Sequence, residues 1–392
     1  MDRRQLLLQF GALSATDLAT RPAQAAVSPG VGKSEIVIGS IQDLSGPLVS
    51  FGKPARDGLL WRVEQANAQG GVHGRKLKLV VEDSGYDPKK AALAADKLVA
   101  SDKVFAVIGT LGAAPALVSM PRILESGALH LFPLTSHRAM FEPFHPHKFA
   151  AFTPYPDSTR AGLREMLKKG YKRVGVLYQD DDFGQEILTG AEAALREVNR
   201  TWIERTSYKR GTTDFSSQAQ RLKAANPDLI VLATVVRETI GAIGEARKLG
   251  YAGDFFGSPG SYIPGTPKLG GKAVDGLYNM CEIPAPYRDA PGNSRLLNEW
   301  LDTYSARFGG EPELAGVFGW FLMDMFVRTL DKAGAQPSVD GFAKALESST
   351  FARSFLGTPD VSFSPTKHLG NQQARIAQIR NGRWVNVSDF LT

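Results

Sequence analysis

Short apolar runs alternate with longer amphipathic segments along most of the chain. Residues 35–39, 104–108 and 229–233 are rich in β-branched and aliphatic side chains, with almost no polar residue inside each run. Strands of this composition are typical of parallel sheets, whose two faces are both covered by helices. The alternation of strand and helix therefore predicts an α/β fold built around parallel sheets.

The alternation starts again in the middle of the chain. A strand over 173–178 leads through 182–184 into a helix with apolar residues every three or four positions, so the chain contains two similar α/β halves. After residue 285 helices follow one another without a comparable strand, and they need an existing sheet to cover. Strands over 375–379 and 383–387 flank an Asn-Gly turn, which predicts a β-hairpin. The late helices are predicted over 295–308, 317–332 and 339–346.

The first 25 residues have the three regions of an export signal. Arg3 and Arg4 precede an apolar run over 6–13, and Ala23 and Ala25 form a small-x-small cleavage site. The paired arginines are similar to those of a twin-arginine signal. We expect residues 1–25 to be removed and the mature protein to work in the periplasm.

Charge and cysteine content exclude several classes of function. The formal net charge of +6 is spread along the chain without a basic cluster interleaved with aromatic residues, so nucleic acid is not an expected partner. The single cysteine, Cys281, excludes an internal disulfide and any multi-cysteine metal site. Because Cys281 falls in a predicted strand, we expect a buried thiol and not a nucleophile.

The loops that follow the predicted strands are the expected place for a ligand. In open parallel sheets ligands bind outside the carboxyl ends of the strands. These loops supply hydroxyls, bare backbone and aromatic rings, which suit a small molecule with a polar head. Arg237 could pair with a ligand carboxylate or could be a solvated arginine at a helix start. The loops cover residues 42–46, 83–86, 109–114, 134–136, 180–184, 234–237 and 257–262.

The sequence contains only partial matches to enzyme and metal-binding motifs. Residues 29–34 end like a phosphate-binding loop but lack its first glycine and precede a strand. His145 and His147 have no third ligand nearby in the sequence, and 180–182 lacks the spacing of a calcium loop. We therefore predict no cofactor, no metal site and no catalytic residue.

Two sets of short segments, one in each half, form a recognisable combination. The first half carries Ile-Val-Ile-Gly at 36–39, Leu-Ser-Gly-Pro at 44–47 and a glycine-rich stretch at 67–75, and the second carries Asp-Phe-Gly-Gln at 182–185 and Asp-Phe-Ser at 214–216. Together they resemble the periplasmic solute-binding proteins of the branched-chain amino acid (leucine/isoleucine/valine) ABC transporter family. The resemblance runs from about Ser34 to the C-terminus.

The resemblance implies a periplasmic binding protein of type I. Such a protein has two Rossmann-like lobes, three crossovers between them and a ligand cleft. We expect the crossovers near Phe152, Ile283 and Asp360. The predicted domains are the export signal over 1–25, lobe 1 over 34–152 plus 283–359, and lobe 2 over 153–282 plus 360–392.

The resemblance also implies positions for the ligand contacts. The loop 109–114 matches the segment that grips a carboxylate or amide, 134–136 matches a second polar contact, and Phe183 matches an aromatic position on the far lobe. Gly260 falls at or next to the acidic residue that pairs with an amino group in amino-acid binders. The predicted ligand-binding residues are Ser45, Tyr86, Leu111, Gly112, Ala113, Ala114, Leu134, Thr135, Ser136, Phe183, Val236, Arg237, Ser261 and Tyr262.

The predicted ligand class follows from the glycine at position 260. Without a carboxylate there, a buried ammonium group would lack its partner at a cost of several kcal/mol. We expect a small aromatic or aliphatic carboxylate, or an amide, in place of a standard amino acid. Arg237 or the hydroxyls of 135–136 would hold its polar end, and Tyr86, Phe183 and Tyr262 its apolar part.

The family resemblance implies a monomeric receptor that delivers its ligand to the membrane permease of an ABC importer. Two other functions on this scaffold remain open. One is a ligand-sensing regulator of the amide-sensor kind, which would need no export signal. The other is an enzyme, which would need a general acid or base, and Asp43, Asp181 and Asp182 are its plausible candidates.

Overall fold

The first lobe is built on a five-stranded parallel sheet. The computed structural model describes residues 28–392, so the predicted export signal lies outside the described residues. Strands β1 to β5 are Glu35–Gln42, Lys76–Asp83, Ala106–Ile108, Leu129–Leu131 and Lys148–Phe149. They lie in the order β2-β1-β3-β4-β5.

The second lobe is built on a seven-stranded sheet that includes the end of the chain. Strands β6 to β10 are Val174–Gln179, Glu204–Tyr208, Leu229–Ala233, Asp254–Gly257 and Tyr278–Cys281. Strands β11 (Thr350–Phe351) and β12 (Val361–Ser362) form a small separate ladder, and β13 (Arg375–Arg380) and β14 (Arg383–Asn386) form a hairpin. Because β13 pairs with β10, the sheet order is β14-β13-β10-β9-β8-β6-β7.

Helices cover both faces of each sheet. On β3, Ala106 and Ile108 belong to the core under the first and tenth helices, whereas Val107 belongs to the core under the second and third. Burial on both faces explains why this strand is apolar throughout. No helix among residues 28–392 combines the length and apolar character of a membrane span. Helices α1 to α11 are Val49–Ala68, Pro88–Asp96, Ala113–Glu125, Tyr155–Lys168, Asp182–Glu197, Ser216–Ala225, Val236–Lys248, Gly265–Gly270, Arg295–Phe308, Leu314–Ala333 and Val339–Glu347.

The observed elements follow the sequence pattern closely. The α/β prediction is confirmed, the late helices α9 to α11 begin and end within three residues of their predicted bounds, and α10 packs against α1 beside the first sheet. The terminal hairpin also forms, and its partner is β10 of the second sheet. Ordinary periodicity was therefore enough to locate these elements.

Two backbone hydrogen bonds near residue 370 bear on the position of the third crossover. Gly370 donates its N–H to the carbonyl oxygen of Ala150, which directly follows β5, and Ala150 donates to His368. The chain therefore still runs beside the first sheet at residue 370 and joins the second at Arg375, where β13 begins. The predicted lobe boundaries stay a prediction, and we propose moving the crossing from Asp360 to between these residues.

Helices α1 and α10 touch through their backbones. A Cβ atom at Gly58 would lie 1.9 Å from the carbonyl oxygen of Gly316, and one at Gly319 would lie 2.1 Å from that of Ala55. Because no side chain fits at these positions, glycine sets the separation of the helices.

We predict that Gly319→Ala lowers the free energy of unfolding by roughly 1–3 kcal/mol, because the added methyl group forces the helices apart. Urea denaturation would measure the loss as a lower midpoint at unchanged slope. Gly244→Ala in α7 is the matched control, since nothing lies within 4 Å of its Cβ position. The control should keep or slightly raise the stability, and equal losses in both variants would contradict the packing argument.

Candidate functional site

The carboxyl ends of the strands in both sheets meet around one cavity of about 90 Å³. The order β7-β6-β8-β9-β10 repeats the order β2-β1-β3-β4-β5, so both sheets have the same winding. Where the strand order reverses, the connecting loops diverge and leave a crevice. Residues after β3, β4, β6, β8 and β9 line the cavity. A molecule held there would touch both lobes.

Most of the predicted ligand-binding residues lie at this cavity. They come from loops that are far apart in the sequence and belong to both lobes. Whether they contact a ligand stays a prediction. The predicted residues that line the cavity are Tyr86, Leu111, Gly112, Ala113, Leu134, Thr135, Ser136, Phe183 and Tyr262.

Arg237 does not reach the cavity. It is the second residue of α7, its side chain is 54% exposed, and its guanidinium lies 3.3 Å from the carboxylate of Glu238. Among the described residues that line the cavity there is no lysine, arginine or histidine. The expectation that Arg237 holds a ligand carboxylate is therefore corrected: it is a solvated arginine at a helix start.

The remaining predicted residues do not line the cavity either. The Ser45 hydroxyl donates to the carboxylate of Asp83 at 2.6 Å, and the Ser261 hydroxyl donates to the carbonyl oxygen of Ser258 at 3.1 Å. The Ser45 hydroxyl therefore joins its loop to the end of β2, and the Ser261 hydroxyl holds its own loop. Ala114 and Val236 lie in the first turns of α3 and α7, and in each case the preceding residue lines the cavity instead.

The first lobe presents an uncapped helix start to the cavity. Helix α3 begins at Ala113, and Gly112 before it has no side chain to cap the helix. Pro115 has no N–H, so the free donors of the first turn are those of Ala113 and Ala114. Gly112 has a φ of 92°, and a Cβ there would lie 2.4 Å from the Tyr86 ring. The glycine therefore lets this ring close over the helix start.

Two hydroxyl groups follow β4 beside this helix start. Leu111 and Leu134 form an isolated bridge that extends the pairing of β3 and β4, and it brings the next residues to the cavity. Thr135 and Ser136 are both buried. The Thr135 hydroxyl lies 3.4 Å from the Tyr155 hydroxyl. The first lobe thus offers hydroxyls and backbone N–H groups, which are donors suited to an oxyanion.

The second lobe presents aromatic rings. Phe183 is the second residue of α5, which the Asp181 carboxylate caps by accepting the N–H groups of Phe183 and Gly184. The Phe183 ring meets the Tyr155 ring edge to face at 5.2 Å. A Cβ at Gly260 would lie 3.0 Å from the Phe183 ring, which leaves little room for a larger side chain there.

Several residues that line the cavity lie outside the loops in which the sequence predicts ligand contacts. Phe51 and Phe318 come from α1 and α10, and Phe152 follows β5. The Phe318 ring lies 6.2 Å from the Phe51 ring and 5.1 Å from the Phe152 ring, so the three form one apolar wall. Their helical or crossover positions match ordinary core residues, and sequence reasoning missed them for that reason.

Glu282 is the cavity residue with the most consequential chemistry, and the sequence analysis did not single it out. It follows β10 and lines the cavity. Its carboxylate accepts the N–H of Thr153 at 3.0 Å and an amide N–H of Asn371 at 2.6 Å. Burial raises the pKa of this carboxyl to about 8, although both hydrogen bonds oppose the shift. Glu282 is therefore mainly neutral at pH 7.

The adjacent Cys281 is also buried, and burial raises the pKa of its thiol to about 12.

Two of the three aspartates named as candidates for an enzyme's general acid or base have structural partners. Asp43 accepts the N–H groups of Gly46 and Leu48, and Asp181 caps α5. Neither these residues nor Asp182 line the cavity.

Charged side chains bridge the lobes beside the cavity. The Arg210 guanidinium pairs with Asp181 at 2.6 Å, lies 4.5 Å from the ring centre of Tyr86 and donates to the Tyr86 carbonyl oxygen at 3.2 Å. Elsewhere, Arg138 of the first lobe pairs with Asp157 of the second at 2.7 Å. Cation–π contacts of this kind contribute about 0.5–2 kcal/mol, more when they are shielded from water. The contacts stabilise a closed arrangement of the lobes.

The chain is similar to known proteins along most of its length. A family model described as periplasmic binding protein matches residues 35–383. The Leu/Ile/Val-binding protein homolog 2 of Brucella abortus is 25% identical over 341 residues, which cover 85% of this chain and 87% of the relative.

Solved structures share the fold along most of the chain. A branched-chain amino acid ABC transporter protein from Thermus thermophilus with bound valine superimposes with a TM-score of 0.82 at 18% identity, covering 92% of this chain and 97% of that one. An ABC transporter solute-binding protein from R. palustris in complex with benzoate gives a TM-score of 0.80 at 18% identity, covering 91% and 96%. At these identities the likeness shows the fold alone.

We predict that Arg210→Gln opens the cleft, because it removes the contacts of Arg210 with Tyr86 and leaves Asp181 unpaired. Small-angle X-ray scattering should show a larger radius of gyration for this variant. Arg205→Gln is the matched control: Arg205 pairs with Glu192 at 3.1 Å and lies 5.6 Å from the Tyr178 ring, all within the second lobe. The control should scatter like the wild type, and identical curves for all three proteins would contradict the bridging role.

Proposed function

The chain belongs to the periplasmic binding protein family, and from that premise we propose that it captures a small aromatic or aliphatic carboxylate, or the corresponding amide, for an ABC importer. The family consists of extracellular solute-binding receptors of the ABC transporter type. The ligand class is the part that this proposal adds. The observation that carries it is a cavity with oxyanion donors at one wall, aromatic rings at the others and a glycine where the family resemblance implies the acidic partner of an amino group.

The missing ammonium partner argues against a standard amino acid. The position where the family resemblance implies an acidic residue is Gly260, and the Phe183 ring leaves little room beside it. Glu282 is the one carboxyl among the described lining residues, but both of its oxygens already accept hydrogen bonds. Its pKa is raised to about 8 by burial, so ionising it to pair with an ammonium group costs free energy near pH 7. Burying an ammonium group without an anion would cost several kcal/mol.

The polar end of a carboxylate fits the first-lobe wall. The N–H groups of Ala113 and Ala114 have no side-chain cap, and the positive end of the α3 dipole favours an anion there. The hydroxyls of Thr135 and Ser136 lie at the same cavity and can each donate a hydrogen bond. This arrangement supports binding without an arginine, as backbone donors at helix starts commonly bind anions. The carbonyl oxygen of an amide could accept the same hydrogen bonds.

The apolar part of the ligand fits the aromatic walls. Tyr86 and Phe183 bring rings from opposite lobes, and Phe51, Phe152 and Phe318 close the remaining side. Flat rings provide large contact areas, and a planar aromatic ligand can pack against them face to edge. Each lobe therefore contributes binding energy that is available only when the cleft is closed. A ligand shifts the equilibrium toward closure by its differential affinity for the closed form.

The resemblance extends the proposal to location and partners. Receptors of this family bind small ligands and work with the permeases of ABC transporters. We propose that the chain acts as a monomer in the periplasm, and that the segment over 1–25 directs its export, either by the twin-arginine route that its paired arginines resemble or by the Sec route.

We predict that isothermal titration calorimetry detects binding of benzoate, a short fatty acid or one of their amides, and no tight binding of leucine or valine. The physical reason is the lack of a counter-ion for the amino group. Submicromolar binding of leucine would contradict the proposed ligand class.

The carboxylate contact can be tested separately. Thr135→Val should weaken carboxylate binding about tenfold, because one hydrogen bond to a charged group is lost. Thr189→Val is the control, since the Thr189 hydroxyl bonds to the carbonyl oxygen of Gln185 on an exposed helix face. Unchanged affinity in the Thr135 variant would place the carboxylate elsewhere.

A further inference from the structure

One carboxyl group joins all three crossovers and also faces the cavity. Glu282 lies at the second crossover, Thr153 at the first and Asn371 at the third. The carboxylate of Glu282 bonds to the other two, and Asn371 also donates to the Thr153 hydroxyl at 2.9 Å. We call these residues the crossover cluster. Because the cluster holds the side chain in place, Glu282 cannot swing away from the cavity without breaking bonds at the crossovers.

Among residues 28–392, no cation lies within ion-pair distance of this carboxyl group. The guanidinium of Arg375 on β13 donates to the backbone carbonyl oxygen of Glu282 at 3.4 Å and not to the carboxyl group. The other titratable groups around it are Tyr155 on α4, Cys281 on β10 and Tyr262 after β9. Burial raises the pKa of each of these three, so they stay protonated and uncharged near neutral pH.

The two protonation states of Glu282 give the cavity different charges. As a neutral acid it leaves the cavity without net charge. As an anion it places a negative charge in a space with mostly apolar walls, where electrostatic repulsion is much stronger than in water. The raised pKa of about 8 means that the change falls just above neutral pH.

We propose that Glu282 selects ligands by charge: its neutral form admits a carboxylate, and its ionised form expels it. This inference rests on the proposed function and adds the residue that sets the charge specificity. It also explains how a site with a carboxyl group in its wall can hold an anionic ligand. Glu282 is thus a specificity-determining residue at the crossovers.

The proposal fixes the sign of the pH dependence. A bound carboxylate repels the anionic form of Glu282, so the pKa of this residue is higher in the complex than in the free protein. When the pH is above the pKa of Glu282 in the free protein, binding of a carboxylate must take up a proton. In that pH range the affinity falls by up to about tenfold for each pH unit. Below about pH 7 Glu282 is protonated in both the free protein and the complex, so the affinity does not change with pH. The affinity for a neutral amide should depend much less on pH. The affinity for an ammonium ligand would instead rise as the pH rises through the pKa of Glu282.

The test is calorimetric titration of the full-length mature protein with benzoate and hexanoate from about pH 6 to about pH 9.5, where both probes stay ionised. Benzamide serves as the uncharged probe. We expect carboxylate affinity to fall about tenfold or more between pH 7 and pH 9.5, with proton uptake detected in buffers of different ionisation enthalpy. These measurements need no variant, so they hold even if a substitution prevents folding.

Glu282→Gln tests the residue itself. Glutamine is uncharged at every pH and approximates the shape of the neutral acid, so the carboxylate affinity of this variant should no longer fall as the pH rises from about 7 to about 9.5. Glu238→Gln is the matched control, because Glu238 is also buried, has a pKa raised by burial and does not line the cavity. This control should keep the wild-type slope.

The outcomes separate the two proposals. Carboxylate binding that is independent of pH, or that strengthens as the pH rises, would overturn the role of Glu282 and leave the proposed ligand class standing. An unchanged slope in Glu282→Gln would also overturn it. Failure of both carboxylates to bind at any pH, with leucine bound instead, would overturn the proposed function together with this inference.

Discussion

The site depends on two parallel sheets that have the same winding and face each other at the carboxyl ends of their strands. In each sheet the strand order reverses once, so the loops on either side diverge and leave room for a ligand. Neither lobe encloses the cavity alone: Thr135 comes from one and Phe183 from the other. Recognition and closure are therefore one physical event, since complete burial of a ligand requires both walls.

Closure in this structure is supported by several modest contacts. Arg210 spans the cleft to Tyr86, and Arg138 spans it to Asp157. Exposed or half-exposed ion pairs contribute roughly 0–1 kcal/mol each, so they bias the equilibrium without fixing it. A ligand that touches both lobes supplies the remaining free energy. The crossover cluster contributes differently, because Glu282 joins the hinge segments to the cavity wall and so couples its charge to what the cavity accepts.

Much of the site follows from local sequence, and the exceptions have identifiable causes. The sequence predicts Thr135 and Phe183 because they lie in the segments that connect strands to the next element in a pattern typical of a parallel sheet. Arg237 also follows a strand, but its direction depends on helix phase, and the first turn of α7 turns it toward solvent beside Glu238. Phe318 carries no loop signal, since it lies within a long apolar helix where a core position and a cavity position have the same pattern.

Local patterning was sufficient for the α/β class, the two halves, the terminal hairpin and most of the loops that line the cavity, because strand and helix periodicity and turn residues act over a few positions. Assembly of the chain was needed for the aromatic wall and for Glu282. Thr153, Glu282 and Asn371 are separated by more than eighty residues each, and they meet because three crossovers run side by side. The pKa of a carboxyl group depends on its burial and its partners, so its neutral state arises only once the folded chain has brought these segments together.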